Sequence, residues 1–150
     1  MPVDGLTLSS QVGYLDSEYN EFADARQPDG DRSDDTPPFS PEWTARFAAV
    51  YQYWLADGAS LTVGADTQYR DEMYLSVDNQ EALTQDSYWV SNAFVGFTSA
   101  DQHWELIGGV KNLADEVYKT DAQEFSSVGN IQTAYYGDPR TYSVSLTYNF

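Results

Sequence analysis

The sequence predicts an all-β chain, an antiparallel meander of about six strands with lipid on one face and a wet barrel lumen on the other. Three observations predict it. The last residues, Tyr142-Ser-Val-Ser-Leu-Thr-Tyr-Asn-Phe150, alternate without a break and stop on an aromatic. The links between alternating segments run long, short, medium, short, long. Charges within those segments keep to one face. An apolar face beside a small polar one is the pattern of a membrane barrel strand. A soluble sheet shows the same alternation with its apolar side on a core, so the second and third observations carry the weight.

The first strand is read over residues 5–19, with Leu6, Leu8, Val12 and Tyr14 on one face. A polar stretch, 21–41, follows and contains Pro28-Asp-Gly-Asp-Arg-Ser-Asp-Asp-Thr-Pro-Pro38. In the second strand, 42–55, Trp43, Ala45, Phe47, Ala49, Tyr51, Tyr53 and Leu55 share a face. Thr44, Arg46, Gln52 and Trp54 share the other. Ala56-Asp-Gly-Ala59 is a tight hairpin link, because Asp-Gly suits the positive φ of such turns. The third strand, 60–71, sets Leu61, Val63, Ala65, Thr67 and Tyr69 against Thr62, Gly64, Asp66, Gln68 and Arg70. After a medium loop of roughly fifteen residues, the fourth strand, 88–98, turns Trp89, Ala93, Val95 and Phe97 outward. Ser99-Ala-Asp-Gln102 is the second short link. The fifth strand, 103–112, opposes Trp104, Leu106 and Val110 to Glu105 and Lys111. A loop of about 25 residues, 113–137, leads to the sixth strand. There Tyr142, Val144, Leu146, Tyr148 and Phe150 face outward, and Thr141, Ser143, Ser145, Thr147 and Asn149 face inward.

Outer-membrane barrels have long external loops and short periplasmic turns. The link lengths fit that scheme with both ends of the chain on the periplasmic side. Arg46, Asp66, Arg70, Glu105 and Lys111 all fall on the inward face. A cation facing lipid at mid-membrane costs about 2–4 kcal/mol, whereas a lumen tolerates it. Outward aromatics gather at strand ends: Trp43 and Tyr51, Trp89 and Phe97, Tyr142 and Phe150, each pair eight residues apart. At ~3.3 Å per residue and ~40° tilt that spacing covers roughly 20 Å of membrane height, near the separation of two aromatic girdles.

Composition agrees. At 150 residues, one domain is expected. No apolar run reaches the ~18 residues of a transmembrane helix. The mean hydropathy of -0.53 excludes a helical membrane protein but not a barrel, whose strands alternate. The net charge of -17 repels nucleic acid. Disordered acidic chains carry few aromatics, yet aromatics here are 15% with twelve Tyr, so acidic loops on aromatic strands describe the chain better. The absence of cysteine excludes disulfides and thiolate metal sites. Residues 1–20 have no basic start, apolar stretch and small-residue cleavage site, so no secretory signal is read.

The segment Trp104-Glu-Leu-Ile-Gly-Gly-Val-Lys-Asn-Leu-Ala-Asp115 resembles the penultimate strand of TonB-dependent outer-membrane receptors. Those strands commonly close on a Gly-x-Asn-Leu-x-Asp type of sequence, matched but for its first residue by Val110-Lys-Asn-Leu-Ala-Asp115. Gly137-Asp-Pro-Arg-Thr-Tyr142, running to a terminal Phe150, resembles the last strand of that family. Tyr88-Trp-Val-Ser-Asn-Ala-Phe-Val-Gly-Phe97 and Pro41-Glu-Trp-Thr44 are weaker matches. The resemblance implies that residues 1–150 are the C-terminal part of a barrel of about 22 strands around a plug, here without plug or coupling peptide. It implies a bacterial outer-membrane location and energy-coupled uptake of a ferric siderophore or similar nutrient, with haem, cobalamin and glycans as other family cargoes. The implied partners are outer-membrane lipid, the barrel-assembly machinery, the rest of the barrel and plug, and TonB through the N-terminal part. Phe150, with Tyr148, Leu146, Val144 and Tyr142, is implied as the assembly signal. No enzyme activity and no cofactor are expected.

Other candidates are weaker. Asp29, Asp31, Asp34 and Asp35 with Gly30 invite a calcium reading, but the order of an EF-hand loop is missing. His103, the single histidine, sits beside a short link and reads as a turn residue rather than a metal ligand. Asp66 and Glu105 read as partners of Arg46, Arg70 or Lys111 across the inner wall rather than as paired catalytic carboxylates. Tyr135, Tyr136 and Phe125 in the last long loop are candidate cargo contacts. The rival fold is a small soluble β-sandwich or lipocalin-like binding module, with the uncharged face as a dry core. A free-standing six-stranded membrane sheet is excluded, because open edges cannot exist in lipid.

Overall fold

The computed structural model describes residues 4–24, 30–125, 128–129 and 131–150. Ten strands follow in chain order: β1 (Leu6–Tyr14), β2 (Trp43–Trp54), β3 (Ser60–Arg70), β4 (Met73–Tyr74), β5 (Thr84–Gln85), β6 (Tyr88–Thr98), β7 (Trp104–Lys111), β8 (Lys119–Phe125), β9 (Ile131–Tyr136) and β10 (Thr141–Tyr148). Six of them form one antiparallel sheet in the order β1-β2-β3-β6-β7-β10, so long strands pair with their neighbours in sequence.

The two short links show why the meander forms locally. At Asp57-Gly58 the glycine takes φ +90°, which favours glycine because it lacks Cβ. The Leu55 N–H then donates to the Ala59 carbonyl at 2.8 Å, and the Ala59 N–H to Asp57 Oδ1 at 3.1 Å. In the second link the Ser99 hydroxyl donates to Asp101 Oδ1 at 2.6 Å, and the Trp104 N–H donates to Ser99 Oγ at 2.9 Å. The Ser99 hydroxyl, then the His103 N–H, hold the Asp101 carboxyl below the usual carboxylate range.

The register sorts the side chains. Residues directly opposite in an antiparallel pair lie on one face. Tyr51 stands opposite Leu6 and Val63, Val63 opposite Val95, Val95 opposite Gly108, and Gly108 opposite Val144. On the other face Arg70 meets Thr44 and Tyr88, Arg46 meets Gln11 and Gln68, and Asp66 meets Ala48 and Asn92. Glu105 meets Thr98 and Thr147, and Lys111 meets Thr141. All five strand charges therefore share one side, as the pattern predicts.

The uncharged face has no protein over it among the described residues: Val144 is 80% exposed, Leu8 67% and Val63 55%. No second sheet packs there, which removes the sandwich rival. Aromatic contacts lie at its two ends. Tyr14 with Trp43 (4.7 Å) and Tyr69 with Trp89 (5.0 Å) mark the long-loop end. Trp104 with Tyr148 (4.6 Å) and Tyr148 with Phe150 (5.0 Å) mark the short-link end. Between them runs the row Leu8, Ala49, Ala65, Ala93.

Two expectations are corrected. The first strand stops at Tyr14 rather than running to residue 19, because its partner β2 begins at Trp43 and the last rung is Leu15 N–H to the Glu42 carbonyl at 2.9 Å. The medium and last long loops are not plain loops: they hold the small hairpins β4–β5 and β8–β9, with a short 3-10 turn at Glu81–Leu83. These hairpins and the described residues of the 15–42 loop pack on one another. Met73, Leu75 and Tyr88 are buried there, with Val90, Tyr118 and Ala122 against them. Among the described residues the packed core therefore lies in the loops at the long-loop end, not on the faces of the sheet.

Candidate ligand cleft

On the charged face, at the long-loop end, a cleft of about 880 Å³ opens between the strands and the loop cap. Its wall carries Arg46, Arg70 and Lys111, and Tyr118, Thr120 and Asp138 reach it from the loop side. Strand pleat aims the cations inward; the register staggers them across β2, β3 and β7. Arg46 Nη2 approaches Asp66 Oδ1 at 3.6 Å and remains 53% exposed. Asp66 also accepts from Asn92 Nδ2 at 3.2 Å and Gln68 Nε2 at 3.4 Å. Glu105 takes no part in this pairing, because the register places it at the short-link end of β7, away from Lys111. The expected link of Glu105 to the inner-wall cations is thus corrected by strand height.

One edge of the cleft is a stacked aromatic pair, Tyr88 on Tyr118, with centroids 4.6 Å apart. Tyr118 packs against Gly137: the Gly137 N–H donates to the Tyr118 carbonyl at 2.9 Å, and any Cβ at Gly137 would overlap the hydroxyl end of the Tyr118 ring. Asn112, 2% exposed at φ +52°, ties the ends of the last loop together. Its Nδ2 donates to the carbonyls of Glu116 (2.9 Å) and Asp138 (3.1 Å), and its Oδ1 accepts from the Glu116 N–H (2.8 Å). Sequence reasoning noticed Asn112 only as part of a motif and missed Tyr118. The signal for Asn112 was present: asparagine is the residue other than glycine that best tolerates positive φ.

The loop cap is braced by a buried cation. Arg32, 7% exposed at its side chain, contacts Asp24 at 2.6 Å, Asp78 at 2.9 Å and Asp35 at 3.0 Å. Burial works against its charge, but the bonds to Asp24 and Asp35 outweigh it and raise the guanidinium pKa above its ordinary value. Two bonds between Thr36 and Asn79 join the same loops. On the other side, Lys119 Nζ donates to the carbonyls of Thr84 (2.7 Å) and Ala82 (3.1 Å).

The remaining sequence candidates lie elsewhere. Asp29 is outside the described residues. Asp31 accepts from the Ser33 hydroxyl (2.6 Å) and N–H (2.9 Å), which hold its carboxyl below the usual range, and Asp35 serves Arg32. His103 lies by the second link, with Nδ1 3.6 Å from Asp101 and its ring edge-on to Tyr148. Phe125 and Tyr135 share one face of the β8–β9 hairpin with Ile131, while Tyr136 pairs with Lys119. All three candidates are exposed, and none of them lines the cleft. Tyr142, Val144, Leu146 and Tyr148 lie exposed on the uncharged face of edge strand β10. Phe150 follows one residue beyond the last rung, where the Asn149 N–H donates to the His103 carbonyl at 2.8 Å.

Comparison with known proteins meets this geometry. The family model described as TonB dependent receptor-like, beta-barrel, matches residues 4–113. The fold is similar to that of the ferric yersiniabactin uptake receptor FyuA from Yersinia pestis, at TM-score 0.77 and 21% identity, covering 99% of this chain and 22% of that one. It is also similar to BauA, the ferric preacinetobactin receptor from Acinetobacter baumannii, at TM-score 0.73 and 20% identity, covering 99% and 20%. The siderophore receptor PiuA from Acinetobacter baumannii matches at TM-score 0.71 and 23% identity, covering 98% and 20%. The chain thus spans about a fifth of the length of these solved structures. A family match over most of the residues, on a sheet with one uncharged face and one charged face, settles its kinship: the chain belongs to the TonB-dependent receptor family, as part of the β-barrel.

Proposed function

We propose that this chain is the C-terminal part of a TonB-dependent outer-membrane receptor that takes up a ferric siderophore or a similar nutrient. The observation that carries the reading is the two-faced sheet. One face is uncharged, exposed and bounded by aromatics at both ends; the other carries every strand charge and opens a cleft under the long loops. Lipid fits the first and aqueous cargo the second. The kinds of cargo carried by FyuA, BauA and PiuA support the choice of nutrient.

In this reading both free sheet edges, at β1 and β10, continue into the rest of a closed barrel, since unpaired edges do not survive in lipid. The barrel is of about 22 strands with a plug inside. TonB acts through the N-terminal part, and the chain performs no enzymatic step. Phe150 and the outward residues of β10 form the signal read by the barrel-assembly machinery, and Phe125, Tyr135 and Tyr136 remain candidate cargo contacts in the last loop.

The test uses the full-length receptor that carries this segment. Deleting its gene should abolish uptake of radiolabelled iron from one or more ferric chelates, inactivating TonB should do the same, and restoring the gene should restore uptake. Uptake of every chelate unchanged by the deletion would overturn the proposal.

A further inference from the structure

We infer that the cleft recognises an anionic ferric chelate through Arg46, Arg70 and Lys111, gripping its carboxylate or phenolate oxygens; this rests on the receptor reading above. The chain holds 24 acidic residues against 7 Lys and Arg, and three of those seven cations converge on this one cleft. Chance solvation of a wet wall in so acidic a chain would favour carboxylates. Arg46 keeps half its side chain exposed beside Asp66, and Arg70, opposite the uncharged Tyr88, and Lys111 are both exposed. No ion pair of Arg70 or Lys111 is present among the described residues. Exposed cations aimed into a walled cleft focus a positive potential that an anion can use. Planar guanidinium groups also match paired oxygens in bidentate geometry.

The position of the cations favours cargo over a packed plug. They stand at the long-loop end, beneath Tyr118, Thr120 and Asp138. Below them the same wall carries an apolar band, with Val50 opposite Gly64, Gly64 opposite Phe94, and Gly96 opposite Ile107, before Gln52, Thr62 and Glu105 at the short-link end. An apolar wall suits dry packing against protein, and a wall of hydrated cations suits a hydrated anion. The acidic loops above would slow the approach of an anion, so the cleft binds by short-range contact rather than by long-range steering.

The experiment is equilibrium binding to the purified full-length receptor in detergent, followed by tryptophan fluorescence. The probes are a ferric tris-catecholate, which is anionic, and a neutral ferric tris-hydroxamate. The wild type should bind the anionic chelate more tightly, with affinity falling as salt rises. The triple variant Arg46→Gln, Arg70→Gln, Lys111→Gln should cost the anionic chelate about tenfold or more beyond any loss for the neutral one. Gln11→Lys, which adds a cation opposite Arg46, should tighten the anionic chelate several-fold, and this gain cannot come from misfolding. Equal losses for both chelates in the triple variant, as expected if the cations hold the plug, would overturn the inference. Wild-type binding of the neutral chelate alone overturns this inference and leaves the receptor reading standing. Binding of neither probe, together with iron uptake indifferent to the gene, overturns both.

Discussion

The Arg140 main-chain N–H donates to Asp115 Oδ1 at 2.8 Å, while Arg140 Nη1 reaches the Leu113 carbonyl at 3.3 Å. This relationship joins the end of the Val110-Lys-Asn-Leu-Ala-Asp115 segment to the Gly137-Asp-Pro-Arg-Thr-Tyr142 segment. With Asn112 bonded to the Asp138 carbonyl, it closes the base of the last loop and sets β10 against β7. The hairpin β8–β9 is then an excursion from a base that is already fixed.

Asn112→Ala should therefore destabilise the barrel more than Asp115→Ala. The first strands the buried partners of the Asn112 amide and puts alanine at φ +52°, for a combined cost of about 2–4 kcal/mol. The second also puts alanine at positive φ, +57°, but removes only an exposed acceptor, so it should cost less, about 1–2 kcal/mol. Urea unfolding of the full-length receptor, followed by heat-modifiable gel migration, measures the difference. Equal effects would show that Asn112 is not the keystone of the loop base.

Gly137→Ala should expel Tyr118 from its stack on Tyr88, because the added methyl overlaps the ring. The sheet register should survive, since β10 begins at Thr141. Hydrogen exchange should quicken at Tyr118 and in β8–β9 and stay unchanged in β2 and β3. Unaltered exchange at Tyr118 would mean the ring finds another seat.

Arg32→Met should loosen the cap between the 15–42 and 71–87 loops. Three carboxylates that converge on the guanidinium would face one another without it. Breaking such a buried charged cluster costs about 3–5 kcal/mol locally. Limited proteolysis should cut the 15–42 loop several-fold faster, with the strands still protected. A cleavage rate equal to wild type would show that Thr36–Asn79 and the packed side chains hold the cap alone.

The same charge on the two faces should have opposite consequences. Ala65→Arg places a cation at mid-sheet on the uncharged face, at a cost of about 2–4 kcal/mol if that face meets lipid. Ala48→Arg places it on the wet face opposite Asp66, at a cost near zero. Folding free energy in lipid vesicles distinguishes them, and equal costs would argue against lipid on the Ala65 side.

Phe150→Ala addresses assembly. Phe150 touches only Tyr148 among the aromatic contacts and is fully exposed, so its loss should change the melting temperature of assembled barrels little. If it is the assembly signal, the yield of assembled receptor should fall and periplasmic degradation should rise. Normal yield with a lowered melting temperature would make Phe150 a structural girdle residue instead.

The strand pattern by itself determined the six-stranded meander, the neighbour pairing, the two short links and the assignment of Arg46, Asp66, Arg70, Glu105 and Lys111 to one face. All of these follow from a period of two along the chain, which each strand carries locally. It also carried the family resemblance, through residues 104–115 and 137–142. The tertiary structure alone decided the end of β1 at Tyr14, the loop hairpins, the height that separates Glu105 from the cations, and the joining of Tyr118 to Tyr88. Those features rest on contacts between distant segments, such as Thr36 with Asn79, 43 residues apart, and Asn112 with Asp138, 26 apart. No local period encodes such pairs. Alternation can say which face of a strand is wet, but only the register and the packed loops bring three cations from three strands to one cleft.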